Sequence, residues 1–169
     1  MDESLLVENS VQQARQLYKD YREKLMSESV FVTLLKNYSS EIERSSRLMV
    51  QAGLPDFCGY CATSIPGGGC CGEHIATWYD PHLLLLNMLM GIEIQDKSYY
   101  KDSCRFLGRN GCTLKARYHF CVNYLCQRIY EKFDKKAIES LRAQSGKELF
   151  ACWQLELFLA DYFKKNGRD

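Results

Sequence analysis

The chain has almost no net charge and no long apolar run. Lys and Arg number 22 against 21 Asp and Glu, a balance of +1. No global field therefore recruits nucleic acid or an anionic membrane, and neither is expected as a partner. The most apolar stretch, Leu83 to Leu86 continuing to Met90, is far shorter than the roughly 20 residues that cross a bilayer. The opening Met1-Asp2-Glu3-Ser4 lacks the basic segment and apolar stretch of a secretory signal, so a cytoplasmic location is expected. No Gly-Lys-Ser/Thr follows the Gly67-Gly68-Gly69 triplet, which sets aside a phosphate-binding loop. No glycine-rich nucleotide fingerprint follows a strand either.

Cysteine is what the chain has. Of nine, eight fall in two blocks of four: Cys58, Cys61, Cys70 and Cys71, then Cys104, Cys112, Cys121 and Cys126. In a secreted minidomain such blocks would be tied into disulfides, whereas in a reducing compartment clustered thiols more often hold metal. Long apolar-periodic helices, able to form a core unaided, also favour metal ligation over a disulfide scaffold.

Those helices set the expected fold class: mainly α, a single-domain helical bundle with a cysteine-rich metal-binding loop region. Residues 1–55 read as an N-terminal helical pair. The first helix runs from Ser10 to about Met26 on Val11, Ala14, Leu17, Tyr18, Tyr21 and Leu25. The second runs from about Ser29 to Gln51 on Phe31, Leu34, Leu35, Tyr38 and Ile42, and Gly53 and Pro55 stop it. Their stripes are wider than a two-position seam, so they are expected to pack on the core rather than form a coiled coil.

Residues 56–130 form the eight-cysteine region around a buried helix. Its first block reads as a loop because of Gly59, Pro66 and the glycine triplet. Glycine would let backbone amides approach metal-bound sulfur closely. Asp80-Pro81 then opens a helix that is apolar nearly all round and ends at Gly91. Ile92-Glu93-Ile94 alternates like a short strand. The second block has turn residues Gly108, Asn110 and Gly111 and enters a helix near Cys121. Residues 131–169 are C-terminal helices on the same core: a short one capped by Asp134, then an apolar one after the capping-box pattern Ser145-Gly-Lys-Glu148. Cys152, among Leu and Trp neighbours, reads as a small core residue.

Cys58-x-x-Cys61 can place two sulfurs on one tetrahedral centre. In extended backbone the adjacent Cys70 and Cys71 point to opposite sides, and on a regular helix Cys121 and Cys126 stand about 140° apart. Both facts favour a binuclear site or a cluster over one mononuclear zinc. Eight thiolates exceed the charge of two divalent ions. From Cys104 to Cys126 there is no Asp or Glu, but Arg105, Arg109, Lys115 and Arg117 are present to offset it. His74 and His119 read as supporting or incidental, since eight cysteines already complete two four-coordinate centres.

These residues carry a resemblance. Cys58-x-x-Cys61, Cys70-Cys71, Cys104-Arg105-Phe106-Leu107, Cys112-Thr113-Leu114, Arg117 and Cys121 to Cys126 resemble the YkgJ-like family of zinc- or iron-chelating proteins, over residues 56 to 130. The family usually has Arg-Pro before its seventh cysteine. Here Tyr118 follows Arg117, so the local turn is expected to differ. The resemblance implies eight cysteine ligands. The flagellin lysine methylases are similar in this region and carry an iron–sulfur cluster there.

The expected function is a metal-binding protein that holds zinc, or an iron or iron–sulfur centre, in a structural or electron-carrying role. The alternative implied by the resemblance is an iron–sulfur-dependent enzyme that modifies a partner protein. Eight thiolate ligands leave no open position for metal-assisted hydrolysis. Thiolates suit zinc and iron alike. The partner, the oligomeric state and the question of catalysis stay open at this point.

Overall fold

The computed structural model describes residues 3–64 and 69–167. The chain is mainly helical, as its periodicities predict. Helix α1 (Glu3–Ser27) begins earlier than expected, because Val7 extends the buried stripe of Val11, Ala14 and Leu17 by one turn. Helix α2 (Ser29–Gln51) keeps its expected range, and Gly53, at a φ of 73°, turns the chain out of it.

The first cysteine pair corrects the expectation of a loop. Cys58 and Cys61 lie on α3 (Leu54–Ser64). Pro55 sits in the first turn, where its missing N–H is no loss and its fixed φ suits a helix. A spacing of three then puts the two thiols on one side of that helix. Pro66, Gly67 and Gly68 lie outside the described residues.

A 3-10 turn (Glu73–Trp78) leads into α4 (Pro81–Leu89). The Asp80 carboxylate accepts from Leu83 N–H at 2.9 Å, the expected cap. Leu84, Leu85 and Leu86 are wholly buried. The Ile92–Ile94 alternation makes no strand. The strands among the described residues are instead β1 (Leu107–Gly108) and β2 (Gly111–Cys112), an antiparallel pair inside the second cysteine block.

The C-terminal third differs at two points. One helix was expected near Cys121, but α5 (His119–Asn123) and α6 (Gln127–Lys132) are separate, with extended backbone at Tyr124 between them. Two helices were expected after Phe133, but α7 (Lys135–Lys165) is continuous. Asp134 caps it, accepting from Ala137 N–H at 3.1 Å. The Ser145–Glu148 pattern caps nothing. Burial of Ile138, Leu141 and Gln144 before Gly146, and of Ala151 and Leu155 after it, runs along one face and holds the helix intact. Ser145 Oγ donates to Val122 C=O at 3.3 Å.

Helices α1, α2, α4 and α7 share the larger apolar cluster, which includes Phe31, Tyr38, Leu84, Leu85, Leu155 and Leu159. Leu54, Ile129, Ile138 and Leu141 form a smaller one at the far end of α2. Cys152 packs in the larger cluster. No helix among the described residues is long and apolar enough to cross a membrane.

Two buried polar residues stand out. Asn87, wholly buried on α4, donates to Leu83 C=O at 3.0 Å and Ala116 C=O at 2.8 Å. Its Oδ1 accepts from the N–H groups of Lys115 at 2.8 Å and Ala116 at 3.0 Å. Asn87→Ala strands these buried groups and is expected to cost about 2–4 kcal/mol in urea unfolding. A loss under about 1 kcal/mol would deny the clamp its importance.

Glu148 is the other. It is wholly buried between α7 and α2, and neither carboxyl oxygen finds a hydrogen-bond partner; Ser45 Oγ stands beside it without meeting hydrogen-bond geometry. Burial pushes its pKa up, against the opposing charge of Arg117. Because breaking no bond and removing a buried polar group is favourable, Glu148→Met should raise stability by about 1–3 kcal/mol. A lowered thermal midpoint would show that the carboxyl has a partner in solution.

Candidate functional site

The eight cysteines of the two blocks line a single cavity of about 470 Å3. It opens where the two apolar clusters meet: Cys71, Cys104 and Cys121 pack on the larger, Cys58 and Cys126 on the smaller. Three segments supply them. Helix α3 brings Cys58 and Cys61, the turn after it brings Cys70 and Cys71, and the 104–126 segment brings the rest. Backbone pairing stitches the blocks together, with Cys104 N–H donating to Cys71 C=O at 2.8 Å and a bridge between Gly72 and Ser103.

One glycine of the triplet passes close to a sulfur. Gly69 has a φ of 59°, and a side chain there would come within 2.9 Å of Cys61 Sγ. The backbone can pass this sulfur so closely only without a Cβ. The turn at Gly69–Cys70 also removes the extended geometry expected of the vicinal pair. The Cys70 and Cys71 thiols stand near enough for each to govern the other's ionisation. That proximity draws Cys70 down and pushes Cys71 up.

Mutual influence sorts the remaining thiols into two neighbourhoods. Burial, then the charges of Cys70, Cys126 and Cys61, push Cys58 up to about 11. Burial pushes Cys104 up to about 12, with Cys112 and Cys121 adding to it. Cys112 opens onto the cavity yet is walled by protein, and burial raises it as well. Burial raises Cys121, with Cys112 and Cys70 adding to it. By that influence Cys58, Cys61 and Cys126 are one set, Cys71, Cys104, Cys112 and Cys121 the other, and Cys70 acts on both.

The basic residues divide in a way the sequence does not announce. Arg117 and Lys115 line the cavity, and the charge of Arg117 opposes the rise at Cys58, Cys112 and Cys121. Arg105 instead ion-pairs with Glu8 on α1 at 2.8 Å and donates to Gln95 C=O. Arg109 lies over the Tyr99 ring. Two contributors were missed. Arg128 Nη1 reaches Cys61 Sγ at 3.6 Å, and the buried Tyr79 hydroxyl reaches Cys121 Sγ at 3.7 Å. Arg128 lies two residues past Cys126, but only the packing of α6 near α3 aims it at Cys61. His74 rests against Trp78 and His119 against Tyr118. Neither is among the residues that line the cavity.

The donor set suits a thiophilic metal, but its spacing is not that of a preformed mononuclear site. Among the described residues no three His, Cys, Asp or Glu side chains converge closely enough to hold an ion. Four sulfurs about 2.3 Å from one zinc would have to be drawn together. A polynuclear cluster, whose own atoms fill the centre, accepts thiolates standing further apart.

Raised thiols give a pH dependence that needs no metal. The folded chain keeps protons on Cys58 and Cys104 that the unfolded chain releases near 9. Their contribution is whole below 9 and is lost as pH rises through about 11 and about 12. For reduced, metal-free protein, the urea midpoint should fall between about pH 8 and pH 10.5, and Cys104→Ala should flatten that fall. A flat wild-type profile would contradict the burial of these thiols. Compared with known proteins, the chain matches no protein-family profile, no curated protein and no solved structure.

Proposed function

We propose that the chain is a metal-binding protein, and that Cys58, Cys61, Cys70, Cys71, Cys104, Cys112, Cys121 and Cys126 hold zinc or an iron or iron–sulfur centre as thiolates. One observation carries the reading: eight cysteines from three segments share one cavity, while Cys152 lies apart in the core. The two neighbourhoods favour a polynuclear centre. Cys58, Cys61 and Cys126 would hold one side and Cys71, Cys104, Cys112 and Cys121 the other, with Cys70 between them. Bound, such a centre supplies structural cross-linking or one-electron transfer. The chain's own residues then do three things. Arg117 and Arg128 offset thiolate charge, Tyr79 donates to Cys121, and the apolar walls lower the dielectric around the sulfurs.

The alternative is an iron–sulfur-dependent enzyme that modifies a partner protein. It draws support from the mainly apolar cavity walls, among them Ile42, Phe57, Ile75, Phe106 and Leu141, because such a lining takes an organic group as readily as an inorganic one.

Anaerobic purification followed by absorption spectroscopy and elemental analysis tests the proposal. A brown protein with several irons per chain supports electron transfer or cluster-dependent modification. A colourless protein with about two zincs supports a structural role. Cys70→Ser and Cys112→Ser, one at the junction and one in the second set, are each expected to lower metal content and the stability of the loaded protein. Unchanged metal stoichiometry in both variants, or no metal in the wild-type chain, overturns the assignment.

A further inference from the structure

A second surface stands apart from the cysteine cavity. On the outer side of α7, Ala143, Gly146, Phe150, Trp153, Leu157 and Ala160 succeed one another at alternating spacings of three and four. That is the 3.5-residue repeat of a helix seam meant for another helix. All six are uncharged and exposed, with Phe150, Trp153 and Leu157 at 57%, 50% and 51%. Beside the stripe runs a groove between Asn37 and Glu41 of α2 and Gly146, Lys147 and Phe150 of α7.

Gly146 is the informative residue. Glycine inside a helix is worse than alanine, because its backbone loses more freedom on folding. A Cβ at Gly146 would meet nothing within 4 Å, so this chain has no use of its own for the missing side chain. A notch amid large exposed apolar side chains is what an approaching helix needs.

We infer that this stripe is the interface of an antiparallel, two-fold symmetric dimer of the chain. In such an interface, residue i meets residue j and j meets i. Turned about the point midway between Phe150 and Trp153, the stripe complements itself. Phe150 faces Trp153, Leu157 faces the notch at Gly146, and Ala143 faces Ala160. The same turn sets Lys147, at the groove edge, opposite Glu156 of the facing helix, a pair of opposite charges. A second copy supplies both the Leu157 side chain for the notch at Gly146 and the opposite charge for Lys147, each of them twice. The three large side chains expose roughly 350 Å2 per copy, short of the roughly 800 Å2 per partner of a standard interface. The groove walls add part of the remainder, so the dimer is weak and concentration-dependent.

Sedimentation equilibrium of the full chain under reducing conditions, from about 5 to 500 µM, tests this. A monomer–dimer equilibrium is expected for the wild type. Trp153→Glu should abolish it with an unchanged far-ultraviolet circular dichroism spectrum. Gly146→Leu points into open space on its own chain, so it should leave the thermal midpoint unchanged or higher while weakening the dimer at least about tenfold. Metal content should not change in either variant, which separates this test from that of the cysteine cavity. A wild type that stays monomeric throughout, or a dimer that both substitutions leave intact, overturns the inference.

Discussion

One buried amide holds the second cysteine block in place. Asn87 makes four hydrogen bonds with backbone groups, three of them to residues 115 and 116. In a low-dielectric interior those backbone groups could not stay unpaired. The segment between Cys112 and Cys121 is therefore fixed to α4, the most buried helix, rather than left as a free loop. Arg117 follows directly and takes its position over the cavity from the same anchor. The first block is tied less directly, through the Cys71–Cys104 backbone bond and the close pass of Gly69 by Cys61.

The cavity lies at the seam between two apolar clusters, and this has chemical consequences. Apolar walls raise the thiols, since charged sulfur loses water and gains little. A cation that replaced those protons would be bound in surroundings where its attraction to sulfur is strong. Helices α1, α2, α4 and α7 bury a continuous set of large side chains, and Cys71, Cys104 and Cys121 sit at the edge of that set. In the reading proposed here, metal would lock the three cysteine segments together, with the helical frame already formed.

Much of the frame was legible in the residues. The range of α2, the Asp80 and Asp134 caps, the burial of Leu83 to Leu86 and the core position of Cys152 follow from periodicity and capping chemistry. These are local effects, decided within one or two helical turns. The misreadings share a physical cause. Pro55, Gly59 and the Ser145–Glu148 pattern are ambiguous local signals, compatible with a helix end or a helix interior. Burial against α2 decided for the interior in α7, and Pro55 in the first turn opened α3 instead of ending a helix.

The sequence by itself determined that eight of nine cysteines come in two blocks, that basic residues without acidic ones accompany the second block, and that the chain is mainly helical. It could not determine which sulfurs become neighbours. That depends on the meeting of segments far apart in the chain, such as those that carry Cys58 and Cys126, 68 positions apart, which both line the cavity. Nor could it say that Arg105 would leave the thiols for Glu8, that Arg128 would reach Cys61, or that the Cys70 and Cys71 thiols would govern each other's ionisation. Tertiary structure decided those points, because side-chain direction at a turn and the meeting of distant segments are set by packing, which no local pattern records.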